Sequence, residues 1–245
     1  MLKNKNKICV FITFVVETHF LFKPNFSMKK IVIFLLFVYI SSNAQENVRF
    51  GLKAGLNISK LTISGVDVAP EINSKAGFHA GAFLSIKLSE KFGLQPEVLY
   101  SNQGYKTRIE DVFEKRDIEG NINYIAIPIM LKYYPAKKFN IEVGPQISFL
   151  LNHKALVKYS RNDISYDPAF NNSLTAEVDI EDQTQSIEFG LNTGVSYQIN
   201  KNVIGTARYN FGISNVNKKL ISPYGEDKEN DRNSVFQFSL NYLFD

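Results

Sequence analysis

Cysteine is almost missing from this 245-residue chain. Cys9 is the only one, so neither a disulfide framework nor a cysteine-based metal site can form in the body of the protein. Histidine is scarce as well: His19, His79 and His153 are all there are, and tryptophan is absent. No apolar run approaches the roughly 18 residues of a transmembrane helix. No phosphate loop, dinucleotide fingerprint or metal-ligand spacing occurs, so no cofactor and no metal is expected. An excess of one charge is missing too, although the formal net charge of +4 suggests one. Residues 1–44 hold Lys3, Lys5, Lys7, Lys23, Lys29 and Lys30 against Glu17, which leaves 22 basic and 23 acidic side chains for the rest. A near-neutral body gives no footprint for nucleic acid.

The leading segment reads as an export signal. Met28-Lys29-Lys30 precedes ten apolar residues, Ile31 to Ile40, and Ser42 and Ala44 stand at the −3 and −1 positions of a cleavage site between Ala44 and Gln45. Ten residues span only about 15 Å as a helix, half of a hydrocarbon core of about 30 Å. Because a complete signal begins at Met28, translation is expected to start there, with residues 1–27 an extension. The expected organisation is 1–44 as extension plus signal peptide and 45–245 as one β domain.

From Val48 onward the apolar residues recur with period two, which places alternate side chains on opposite faces of a strand. Eight such rows run through Phe50–Ile58, Phe78–Leu88, Leu94–Tyr100, Ile125–Tyr133, Phe139–Leu151, Ile187–Ile199, Val203–Ile213 and Phe236–Phe244. None of their 45 alternate positions is charged, in a chain with 21% charged residues. The links alternate too. Ser89-Glu90-Lys91, Pro135 to Lys138 and Asn200-Lys201-Asn202 are short; 62–75, 107–120, 152–185 and 215–233 are long and polar. The expected fold class is all-β: an eight-stranded antiparallel up-and-down barrel with short turns at one end and long loops at the other.

Alternation alone does not say which row faces the interior, since a soluble lipocalin-like barrel shows the same period. The polar row decides for a membrane barrel. It is rich in Gly51, Gly55, Gly81, Gly144, Gly190 and Gly194, and an eight-stranded barrel has room inside only for side chains. The apolar row carries Tyr100, Tyr133, Phe149, Tyr197, Tyr209, Phe236 and Tyr242 near strand ends, as an aromatic girdle would. The last strand ends on Tyr242-Leu243-Phe244, the pattern of an insertion signal.

The segments Phe50-Gly51-Leu52-Lys53-Ala54-Gly55-Leu56-Asn57, Phe92 to Tyr100, Tyr124 to Tyr133 and Ala207 to Gly212 resemble the porin-family outer-membrane β-barrel proteins common in Bacteroidetes. The resemblance runs over residues 45–245. It implies an eight-stranded barrel in the outer membrane of a Gram-negative bacterium, reached through the barrel-assembly machinery and in contact with outer-membrane lipid and lipopolysaccharide. A monomer is expected.

With the polar rows inward, a lumenal network of Lys53, Glu97, Lys132, Glu142 and Arg208 is expected, because buried charges must pair. Lys132 and Glu142 fall opposite each other across their turn. In so narrow a barrel the network reads better as a polar plug than as a gate. Pro128, facing inward on a strand with two neighbours, predicts a bulge there. Neither His79, inward, nor His153, at the start of a loop, has a serine placed for nucleophilic catalysis, so no enzyme is expected. The acidic clusters Glu177 to Asp182 and Glu226 to Asp231 read as solvated loop, with Ca²⁺ or a divalent bridge to lipopolysaccharide as the alternative. The functional reading is a surface-interaction or structural role through the long loops; the alternatives are a narrow channel, a secretion-accessory barrel and, last, a lipid-modifying enzyme.

Overall fold

The alternating segments pair edge to edge until the sheet meets its own first strand. A computed structural model describes residues 48–64, 72–110, 114–161, 174–218, 221–222, 225–226 and 230–244. The chain divides into two units, Met1–Glu46 and Asn47–Asp245, and every described residue lies in the second. The expected signal peptide, with Ala44 and Gln45, falls outside the described residues.

The strands are β1 (Val48–Ser64), β2 (Ile72–Lys87), β3 (Phe92–Glu110), β4 (Glu114–Ala136), β5 (Phe139–Arg161), β6 (Leu174–Asp179), β7 (Ile187–Gln198), β8 (Val203–Gly212), β9 (Ile221–Ser222), β10 (Gly225–Glu226) and β11 (Asn230–Leu243). Eight form a closed antiparallel ring in the order β1, β2, β3, β4, β5, β7, β8, β11. Of the others, β6 lies on the far end of β5, and β9 and β10 pair only with each other.

The stagger of the ring follows from its register. Paired residues run from Val48 to Ile86, Leu94, Leu131, Val143, Thr193, Tyr209 and Phe236 and return to β1 at Ile58, ten residues beyond the start. With about 4.8 Å between strands and about 3.3 Å per residue, that shear tilts the strands about 40° from the axis. Eight strands at this tilt leave an interior that side chains fill.

Burial runs opposite to that of a soluble protein. Leu56 is 65% exposed and Leu240 62%, while Lys53, Glu97, Glu142 and Arg208 are 3% exposed or less. The apolar row faces outward and the polar row inward, which requires an apolar solvent around the barrel. Two periplasm-type turns are closed by side chains that take up the free N–H groups: Ser89 Oγ accepts from Lys91 and Phe92 (3.3 and 3.1 Å), and Asn200 Oδ1 from Asn202 and Val203 (2.9 and 2.8 Å).

The structure corrects two expectations. The register between β3 and β4 is the same on both sides of Pro128, and the two shifts between β4 and β5 come instead at Tyr133/Ala136, beside the turn, and at Asn123/Tyr124, where β5 carries Leu151 as an extra residue. Pro128 lies buried on the inner row between Ala126 and Met130, and the pairing on both sides of it, Ile129 with Pro96 and Ile127 with Ile147, keeps one register although proline donates no ladder hydrogen bond. The long-loop expectation also changes: β3 continues to Glu110, β4 starts at Glu114 and β5 continues to Arg161, so most of 107–120 and the start of 152–185 are sheet. At about 3.3 Å per residue β4 and β5 are about 75 Å long, far more than the 9–11 residues a tilted membrane strand needs. Cross-strand pairing continues there because polar side chains on both strands form ion pairs, Arg108 with Asp117 at 2.6 Å and Lys106 with Glu119 at 3.4 Å. What results is a sheet of β3, β4, β5 and β6 standing out beyond the ring.

Candidate functional site in the lumen

Five charged side chains from five strands converge at mid-height. Arg208, on β8, donates from Nε to Glu142 Oε1 (2.8 Å) and from Nη1 and Nη2 to the two oxygens of Glu97 (3.1 and 2.8 Å). Lys53 reaches Glu97 at 3.2 Å and Lys132 reaches Glu142 at 3.4 Å. Lys132 and Glu142 are directly opposed in the β4–β5 register. Each element delivers its residue by alternation alone: the position is odd or even with the inner row, and the outer neighbours are apolar. The cluster holds three cations and two carboxylates, and planar guanidinium is the group able to serve both carboxylates at once.

Neutral residues complete the oxygens' partners. Gln95 Nε2 donates to Glu97 (2.7 Å), Ser196 Oγ to Glu142 (3.2 Å), Ser196 meets Thr206 at 2.9 Å, and Asn241 Nδ2 donates to Thr206 (2.7 Å). Gln95, Ser196, Thr206 and Asn241 stand outside the five charged residues expected from the sequence; their inner parity was the available signal. Not every charge of inner parity joins in. Arg49 and Lys87 stand exposed at the short-turn end. Nor is the inner row wholly polar: Phe83, Leu99, Met130 and Val235 fill it between the polar layers.

Above the cluster lies an amide layer. His79 Nδ1 is 2.8 Å from Asn57 Oδ1, which also accepts from Gln237, and Asn192 links Gln146 to Asn210 at 3.0 Å on each side. Higher still, Leu61, Ile122, Tyr124 and Val216 make a buried apolar cluster, with Ile72, Tyr105 and Leu150 against it. Val216 comes from the segment after β8. Its carbonyl accepts from Gln185 N (2.7 Å), its N–H donates to Asp231 O (2.8 Å), and Thr184 bridges to Asn217. Two connecting segments thus meet over the mouth and press a valine into it.

The extra residue at Leu151 decides the fate of His153. Beyond it the inner row shifts by one, so His153 turns inward and is fully buried, with Nδ1 2.8 Å from Thr184 Oγ1. Thr184 gives its one proton to Ile180 O (2.9 Å), so His153 is the donor and its Nε2 carries the lone pair. The apolar belt on β5 ends at Leu151; just above it, burial pushes the His153 imidazole pKa down to about 4, Asp179 offsetting only part. His79 is bonded to an amide and His153 to a threonine, so among the described residues neither histidine is paired with a serine and a carboxylate.

The residue pattern has a family counterpart. The family of outer membrane protein beta-barrel domains matches residues 43–218. The chain belongs to this family. It is therefore a barrel of the cell outer membrane, with the short turns in the periplasm and the extended sheet outside the cell. Solved structures similar to this outer-membrane barrel include Ail, the attachment invasion locus protein of Yersinia pestis, at 12% identity over 81% of this chain and 99% of Ail, with a TM-score of 0.41. Neisserial surface protein A is 19% identical over 81% and 100% of the two chains, TM-score 0.38, and OprG of Pseudomonas aeruginosa 12% over 81% and 96%, TM-score 0.39. No curated protein matches the barrel.

At the other end of the barrel, Phe244 closes the seam between first and last strands. Its N–H donates to Phe50 O (2.9 Å), its ring stacks on Phe50 at 5.6 Å, and Tyr242 meets it edge-on at 5.0 Å. Asp245 lies outside the described residues.

Proposed function

We propose that the protein is a non-enzymatic, non-conducting outer-membrane barrel: a rigid stem that holds the β3–β6 sheet outside the cell for surface interaction. One observation carries this reading. Arg208 spans the lumen to Glu97 and Glu142, and above it Val216 fills the mouth, so the interior is occupied at two heights. The sequence motifs support placing it among the barrels of the Bacteroidetes type, and the ring that closes on its own first strand supports a monomer.

Reconstitution into planar bilayers tests the sealed lumen. No conductance steps are expected from the wild-type barrel; discrete steps whose size changes in Glu142→Gln would overturn it.

A narrow channel is the second reading, and one observation favours it. Along the inner row of β11, Gln237 Oε1, Ser239 Oγ and Asn241 Oδ1 are buried without a partner among the described residues, a polar strip leading from the level of Lys53 up to the amide layer at Asn57. The same bilayer experiment separates the two.

A further inference from the structure

The outward face of the β3–β6 sheet continues the lipid-facing belt strand by strand. Its topmost apolar row is Tyr100, Ile125 and Phe149, which are register partners. The next row on that face is Asn102, Asn123 and Asn152, one amide on each of three neighbouring strands. They form a chain: Asn102 Nδ2 donates to Asn123 Oδ1 (2.7 Å), Asn123 Nδ2 to Asn152 Oδ1 (2.7 Å), and Tyr100 Oη to Asn123 Oδ1 (2.8 Å). One N–H of each linking amide is used, which leaves a second for a ligand oxygen. Above come Gly104, Asn121, Lys154 and Asp179; then Lys106, Glu119, Leu156 and Glu177; then Arg108, Asp117, Lys158 and Thr175.

The β3, β4 and β5 members of the upper two rows line an open cleft of about 440 Å³, to which Asn73, Thr107 and Ile118 also contribute. Lys106 and Arg108 are paired with Glu119 and Asp117. Lys158 stands opposite Asp117 in the register and shares that carboxylate's field with Arg108, so the three cations and two carboxylates that line the cleft leave it with one excess positive charge.

We propose that this face binds the saccharide headgroup of lipopolysaccharide in the outer leaflet, with the amide row against sugar hydroxyls and the Lys158 cleft holding an anionic substituent. The inference rests on the reading of the sheet as the working surface, but it does not depend on whether the lumen conducts. Continuity with the belt places the face beside lipid, and a length argument selects which lipid. The Arg108 row lies six residues above the amide row, about 20 Å along the strands and about 15 Å along the membrane normal. A phospholipid headgroup layer extends only about 5–8 Å beyond the hydrocarbon. The cleft is therefore out of reach of a phospholipid and within reach of a lipid with a long saccharide head.

The test uses the full chain refolded in phosphatidylcholine nanodiscs, titrated with lipopolysaccharide or, at equal charge, with phosphatidylglycerol, and read as the midpoint of heat-modifiable migration. Lipopolysaccharide is expected to raise the midpoint and phosphatidylglycerol to leave it. In Lys158→Glu the amount needed for half of the rise increases about fivefold or more, the loss expected for a cation at an anionic membrane surface. Lys158→Gln moves it in the same direction and serves if the glutamate variant does not fold. Asn123→Ala, which breaks the amide chain, lowers the size of the rise. Equal shifts from the two lipids, or Lys158 variants that titrate like wild type, would overturn the proposal.

Discussion

Arg208 on β8 grips Glu97 on β3 across the lumen, with both guanidinium ends on the two carboxylate oxygens at 3.1 and 2.8 Å. These strands are separated by three others in either direction around the ring, so the contact braces opposite walls. The same guanidinium holds Glu142, and the two carboxylates share it with Lys53 and Lys132. Removing Arg208 leaves two buried carboxylates with one lysine each at longer range. Removing Lys132 leaves two carboxylates facing two cations.

The expected consequence is an unequal pair of variants. Arg208→Gln should destabilise the barrel by about 3–5 kcal/mol, the usual cost of breaking a buried ion pair from one side, and Lys132→Met by less than half of that. Urea titrations of the barrel folded in lipid vesicles measure both. Equal losses would show that the cluster behaves as two independent pairs rather than one braced unit.

Val216 tests the mouth. It is 1% exposed among Leu61, Ile122 and Tyr124, yet it belongs to a connecting segment and not to the ring. An aspartate there would bury a charge or expel the segment, and expulsion is cheaper. Val216→Asp should therefore speed proteolysis at 214–218 by about tenfold or more, as expected for a loss of about 1–3 kcal/mol of local stability. The urea midpoint of the ring should scarcely move. A large fall in that midpoint, with no change in cleavage, would mean that the cap is part of the global fold.

The ring was readable in the sequence because period two leaves little freedom. Once Phe50–Ile58 and Phe236–Phe244 face lipid, the inner position of Lys53 and Arg208 follows, as does the inward parity of Lys132 and Glu142, which the one-residue register shift at Tyr133/Ala136 brings opposite each other. What lay beyond alternation was not readable. The extra Leu151 flips every residue after it, so His153 enters the mouth and Asn152 joins the outer amide row, and a one-residue bulge leaves no mark in a pattern of apolar residues. The outer halves of β3, β4 and β5 escaped for a related reason: their rows are polar on the outer face, so the signature that marks a membrane strand is absent where the strand leaves the membrane. Val216 escaped because a single apolar residue in a polar connection carries no period at all.

His153 gives the cap a pH dependence whose sign follows from its tautomer. Nδ1 donates to Thr184, and Nε2 is buried without a partner among the described residues, so a second proton would place a charge beside Tyr105 and Ile122 with only Asp179 acting in its favour. The folded pKa of about 4 lies below the ordinary value near 6.5. A histidine with a depressed folded pKa contributes in full above the unfolded pKa, and that contribution is lost as pH falls from about 6.5 toward 4. Cleavage at 180–186 should accelerate through that window in the wild-type protein. His153→Gln, which cannot titrate, should show a flat profile; the same acceleration in that variant would assign the effect to other groups.

Phe244 raises a question of assembly against stability. Its ring and N–H close the seam on Phe50, but an aromatic that ends the alternating row of β11 also suits recognition by the barrel-assembly machinery. The two roles part when folding is followed with and without that machinery. If Phe244 is read by the machinery, Phe244→Ala slows assisted insertion while spontaneous folding into thin vesicles keeps its wild-type rate and urea midpoint. If it serves the seam, both routes slow and the midpoint falls, by about 3 kcal/mol at most for a half-exposed phenylalanine. The alternation from Phe236 through Tyr242 to Phe244 favours the first outcome. Equal slowing on both routes would leave Phe244 as a latch between β1 and β11 and not a signal.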